Sequence, residues 1–139
     1  MRRGTTLPEL VLGLVIAGIL GAIAVNRGAV IRDRLRVRSA ATEAVSTFAL
    51  ARRWSMSHAA RTAVTIDTAS ATLAVSSYAD TITRRQLGAT HGVTLTASRD
   101  SMAYAPNGLG YGASNLTVVL QRGAAAETIF VSRLGRVRR

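Results

Sequence analysis

The sequence predicts an α+β fold, a long N-terminal helix packed on a small antiparallel β-sheet head. Three observations predict it. Residues Leu10 to Val25 form a run of sixteen without a charge. Apolar positions then recur at helical spacing from Val37 to Ala59, and beyond Arg61 the pattern changes to short, β-branched stretches of period two.

The first element begins at "TTLPEL". Thr6 and Glu9 have the T-x-x-E spacing of a capping box, and Pro8 suits the first helical turn because it has no N–H to satisfy there. A carboxylate at this end also meets the positive pole of the helix dipole, an effect of ~0.3–1 kcal/mol. The apolar run LVLGLVIAGILGAIAV rises ~24 Å as a helix and, with Leu7 and the first turn, approaches the thickness of a bilayer core. Arg2 and Arg3 ahead of it also fit the n-region of a signal peptide. Against that reading, the run is long and no small-x-small cleavage site with a change of composition follows it.

At 100° per residue, Val37, Ala41, Ala44, Val45, Phe48, Ala51, Ser55 and Ala59 fall in one band, with Ser39, Thr42, Ser46 and Arg53 opposite. A single helix over residues 5–60 is expected, apolar all round at first and one-sided afterwards. Its weakest point is Asn26 to Gly28, since a helical glycine costs ~1 kcal/mol relative to alanine. Strands are expected at 63–67, 72–78, 93–97, 116–120 and 128–133, separated by turn material such as "APNGLGYG" and "QRGAAAE". The one-sided part of the helix then lies across one face of a single sheet. Four regions result: 1–4, 5–26 as the membrane half of the helix, 27–61 as its amphipathic half, and 62–139 as a β-rich head with a basic tail.

Catalysis is not expected. The seven acids are scattered singly, and none pairs with His58 or His91 in a nucleophile arrangement. The absence of cysteine removes disulfides, thiolate metal sites and a cysteine nucleophile, and the two histidines lack a second ligand at metal spacing. No metal and no cofactor is expected. "GLGYG" lacks the strand and helix that flank a phosphate loop and reads as a turn.

Charge is informative. Eighteen basic residues, all arginine, stand against seven acids for a net charge of +11. Such a surface suits nucleic acid, anionic lipid or partner carboxylates. Arg27, Arg32, Arg34, Arg36 and Arg38 follow the apolar run, and by charge bias alone they favour a cytoplasmic C-terminal side. A second cluster, "SRLGRVRR", places Arg133, Arg136, Arg138 and Arg139 around Gly135. In extended chain Arg136 and Arg138 project to one side, about 6–7 Å apart.

"RRG" followed by "TTLPEL" resembles the leader of type IV pilins and of type II secretion pseudopilins. The resemblance implies a pilin-like fold, cleavage between Gly4 and Thr5 by a prepilin peptidase, and N-methylation of Thr5, where the family usually carries Phe or Met. It gives Glu9 an assembly role, pairing with the N-terminal amine of a neighbouring subunit. It also implies an inner-membrane location before assembly, with the head in the periplasm, against the charge bias. "TEAVSTFALARRWSMSHAARTAVTI" and the chain from Met102 onward are similar to GspH/FimT-type minor pilins. Two functions follow: a structural subunit of a secretion pseudopilus or pilus with other pilin subunits as partners, or a minor pilin that binds double-stranded DNA for uptake. For the second, Gly135, Arg136, Val137 and Arg138 match a G-R-x-R tail, with Arg133 and Arg139 beside it.

Overall fold

The computed structural model describes residues 6–78, 80–111 and 115–139, with backbone only at 23–26. Two compact units divide the chain, Met1–Arg32 and Asp33–Arg139. Helix α1 runs Leu7–Ser57, through Asn26 to Gly28 without interruption. Its start follows the expected position: the Thr6 carbonyl accepts the amides of Glu9 at 3.0 Å and Leu10 at 3.2 Å. The reciprocal side-chain bonds of a capping box do not form among the described residues.

In the first unit the large apolar side chains between Leu7 and Leu20 are all exposed, from 50% at Ile16 to 76% at Leu7. This stretch meets the length and composition of a membrane span. In the second unit the same helix is one-sided. Val37, Ala41, Ala44, Phe48, Ala51 and Ser55 are buried as their spacing predicts, and Ala40 and Thr47 widen the stripe. Alanine dominates that face, and Phe48, fully buried, is the largest side chain it carries into the core.

The helix ends earlier than expected. Ala59 has φ 47° and is exposed, and the Ala60 amide returns to the Ser55 carbonyl at 3.1 Å. This is a Schellman closure with alanine where glycine is usual, which carried Ala59 out of the predicted apolar band. The Trp54 ring stacks on His58 with centroids 3.9 Å apart, covering the last turn.

Among the described residues nine strands follow, arranged in two sheets rather than one. In the first, β3 (Asp80–Gln86), β2 (Thr72–Ser77), β1 (Thr62–Asp67), β5 (Ser101–Tyr104) and β6 (Gly110–Tyr111) lie in that order. In the second, the order is β4 (Thr94–Ala97), β7 (Leu116–Arg122), β8 (Ala125–Val131) and β9 (Val137–Arg138). A short helix α2, Leu87–His91, closed by Gly92 at φ 64°, joins β3 to β4. All pairings are antiparallel. Val64 and Ile66, Leu73 and Val75, and Leu116, Val118 and Leu120 alternate inward and join the helix stripe in one core.

Strands β1, β2, β4 and β7 fall where the period-two pattern put them, but β8 starts three residues earlier than expected, because in "QRGAAAE" only Gly123 and Ala124 turn while Gln121 and Arg122 extend β7 and pair with Ala126 and Ala125. β3 was missed because its Thr and Arg residues leave it largely exposed at the sheet edge, so no inward face marks it. "GLGYG" is a turn only in part, since Gly110 and Tyr111 pair with Tyr104 and Ala103.

Candidate functional site

Gly4 and Thr5 lie outside the described residues. Glu9 lies in the first turn of α1, exposed, among exposed apolar side chains. A carboxylate at the start of such a surface is solvated in water but is costly once that surface is covered, unless a cation accompanies it.

The five arginines past the apolar run are exposed. Asp33, their sequence neighbour, is taken up elsewhere: Arg122 Nε donates to Asp33 Oδ1 at 2.8 Å. Arg122 Nη1 also donates to the carbonyls of His91 at 2.8 Å and Gly92 at 3.0 Å. Nearly three turns further along α1, Glu43 accepts from His91 Nε2 at 2.8 Å and lies 3.8 Å from Arg85. These contacts fasten α1 to α2, β3 and β7. They separate the acids that sequence alone left unassigned into structural ion pairs, and sequence spacing gave no signal for them. His91 is half-buried in this network and His58 caps α1. No cluster of three metal-ligating side chains occurs among the described residues.

The tail arginines do not act as one cluster. Gly135 adopts φ 73°, and the Ser132 carbonyl accepts its amide at 2.9 Å. Val137 packs on the core and pairs with Val131, so Arg136 and Arg138 project away from it, both exposed. They line two grooves: one of about 330 Å³ with Phe130 and Leu134, and one of about 580 Å³ with Val45, Arg52, Arg53 and Met56. Arg139 is committed instead, its Nε donating to Glu127 Oε1 at 2.6 Å and Nη1 to Thr42 Oγ1 at 3.1 Å. Arg133 faces a different cleft, with Arg61 and Arg99.

Beneath the tail lies Tyr104, fully buried and close to where a Cβ on Gly135 would stand. Its hydroxyl finds no hydrogen-bond partner among the described residues. Burial pushes its ionisation up to about 12, against a smaller opposing effect of Arg52. On the head's surface, the Ser70 hydroxyl and the Ser70 and Ala69 amides hold Asp67 below its ordinary value.

No protein-family profile matches the chain, and no curated protein matches it in sequence. Its fold does have counterparts. The type IV minor pilin FimU of Pseudomonas aeruginosa superposes with a TM-score of 0.65 at 16% identity, over 76% of this chain and 88% of that one. The minor pseudopilin EpsH from the Type 2 Secretion System of Vibrio cholerae superposes with a TM-score of 0.58 at 11% identity, over 74% and 94%. This chain therefore has the pilin-like α+β fold.

Proposed function

We propose that the chain is a minor-pilin-like subunit, a structural component of a type IV pilus or a type II secretion pseudopilus rather than an enzyme. The observation that carries the proposal is α1 itself: its first part exposes apolar side chains on every side, while its second part is folded into a head of pilin-like architecture. Water does not tolerate so large an apolar surface, and two environments cover it. Before assembly the bacterial inner membrane does so, with a single span and the head in the periplasm. In the filament, the helices of other subunits do. A minor pilin and a minor pseudopilin both share the fold, so the proposal is made at the level of the subunit class.

The leader reading belongs to the same proposal. A prepilin peptidase cuts after Gly4, and Thr5 becomes the methylated N-terminus. The test is the intact mass of the chain after expression beside a prepilin peptidase. A mature chain beginning at methylated Thr5 is expected; a chain that retains residues 1–4 overturns the processing step.

For the second reading, capture of duplex DNA, Arg136 and Arg138 remain as the exposed pair of the G-R-x-R stretch. Its test is a gel shift at low salt with R136A/R138A, where an unchanged shift refutes the tail as the site.

A further inference from the structure

Three arginines distant in sequence line one cleft of about 320 Å³ in the head. Arg61 precedes β1, Arg99 lies between β4 and β5, and Arg133 lies in the turn between β8 and β9. Ala63, Met102 and Leu116 supply apolar lining, and among the described residues no acidic side chain lines the cleft. Asp100, beside it in sequence, accepts the Ser101 hydroxyl at 3.3 Å and is not among the lining residues.

Two of the arginines are held in place. The Arg61 guanidinium carbon sits 4.0 Å from the centroid of the Tyr111 ring. Attraction of the cation to the ring face holds the Arg61 guanidinium at the cleft. Arg133 is held through its backbone: its carbonyl accepts the Gly110 amide at 2.9 Å, and its amide donates to Asn115 Oδ1 at 3.3 Å. A Cβ on Gly110 would stand 3.0 Å from the Arg133 carbonyl, so glycine lets β6 approach this turn.

We infer that this cleft binds a compact, polyvalent oxyanion of the phosphate class. The like charges of Arg61 and Arg133, each on a held support, repel one another until an anion joins them, and guanidinium forks match phosphate oxygens in bidentate geometry. The cleft is separate from the grooves lined by Arg136 and Arg138. It also does not depend on the subunit role proposed above.

The chemistry admits a free phosphate or the phosphodiester of a lipid headgroup. The experiment titrates the full chain, in neutral detergent, with inorganic pyrophosphate and separately with glycerophosphoglycerol, read by calorimetry. Binding of either probe is expected, pyrophosphate alone identifying a free phosphate and glycerophosphoglycerol a headgroup. Arg61→Gln and Arg133→Gln should each weaken it about tenfold or more, and R136Q/R138Q should leave it within about twofold. Arg61, Arg133, Arg136 and Arg138 are all exposed, so thermal melts of the variants should match the wild type. The inference is overturned if neither probe binds, or if Arg61→Gln and Arg133→Gln bind as the wild type does.

Discussion

Replacing Arg122 with Met removes one side chain that holds three elements together, and the cost can be worked from its contacts. Arg122 donates to Asp33 and to the carbonyls of His91 and Gly92, all within 3.0 Å. About a third of each charged side chain of the pair is exposed, so the ion pair contributes only ~0.2–1 kcal/mol. The charge-assisted bonds to the two carbonyls are worth ~1.5–3 kcal/mol together after allowance for water that can replace them. Met keeps the packing of the aliphatic stem, so the total loss is about 2–3 kcal/mol. For a folded unit of this size, that lowers Tm by roughly 8–15 °C in a circular dichroism melt of the full chain in detergent. Asp33→Asn should cost less, about 0.5–1 kcal/mol, because the carbonyl bonds survive. The double variant should be no worse than Arg122→Met alone, since the asparagine then has no guanidinium left to lose. A melt of Arg122→Met within about 0.5 kcal/mol of wild type, or a double variant whose losses add, refutes the clamp.

Gly135→Ala should destabilise the head by about 2–4 kcal/mol, because φ 73° strains any Cβ and that atom would meet the Gly108 carbonyl at 2.5 Å; urea unfolding measures it. Phe48→Ala empties a fully buried ring site and should cost about 3–5 kcal/mol in the same assay. Tyr104 predicts an alkaline limit. Its folded ionisation is raised to about 12 from the ordinary 10.0, so the unfolded chain loses that proton first. Stability is then complete below pH about 10 and falls as the pH rises towards about 12, by a total of order 2–3 kcal/mol. Tyr104→Phe should flatten that decline and be neutral or stabilising at neutral pH, since the hydroxyl has no partner to lose; an unchanged alkaline slope counts against the assignment.

The helix was legible because its signals are local: the stripe from Val37 to Ser55 repeats at the helical period, and its residues are buried except Val45, which is half-buried against the core. Its end was not, since Ala59 carries a left-handed conformation that sequence assigns to glycine. Alternation marked β1, β2, β4, β7 and part of β8, but not β5, whose consecutive Met102, Ala103 and Tyr104 are all buried and so show no period of two; division into two sheets depends on β1 pairing with β5, a choice made by packing rather than by local pattern. The ion pairs of α1 join residues 48 and 89 positions apart, beyond the reach of any spacing rule. At the tail, spacing put Arg136 and Arg138 on one side of the strand, and both line the same two grooves, but it could not show that Glu127 and Thr42 hold Arg139. The cleft of Arg61 and Arg133 was invisible for the same reason as the ion pairs.

Under the proposed subunit role, Glu9 has to account for something the apolar residues cannot. Leu10, Leu14 and their neighbours gain by leaving water, but lipid chains and a bundle of helices are almost equally apolar. Transfer from membrane to filament therefore brings these side chains little hydrophobic free energy. A carboxylate behaves differently: carried towards the hydrocarbon it costs on the order of 3 kcal/mol, and a partner's N-terminal amine relieves that cost. The charge thus favours the assembled state over the anchored one. Glu9→Ala should insert into membranes at least as well as wild type while losing about a hundredfold of its incorporation into filaments. Glu9→Gln should lose nearly as much, because it keeps the shape and hydrogen bonding but not the charge. Membrane fractionation beside immunodetection in sheared filaments separates the two steps. Alanine or glutamine variants that enter filaments at the wild-type level refute the role of the charge, and loss of membrane insertion in either variant shows that Glu9 acts in anchoring instead.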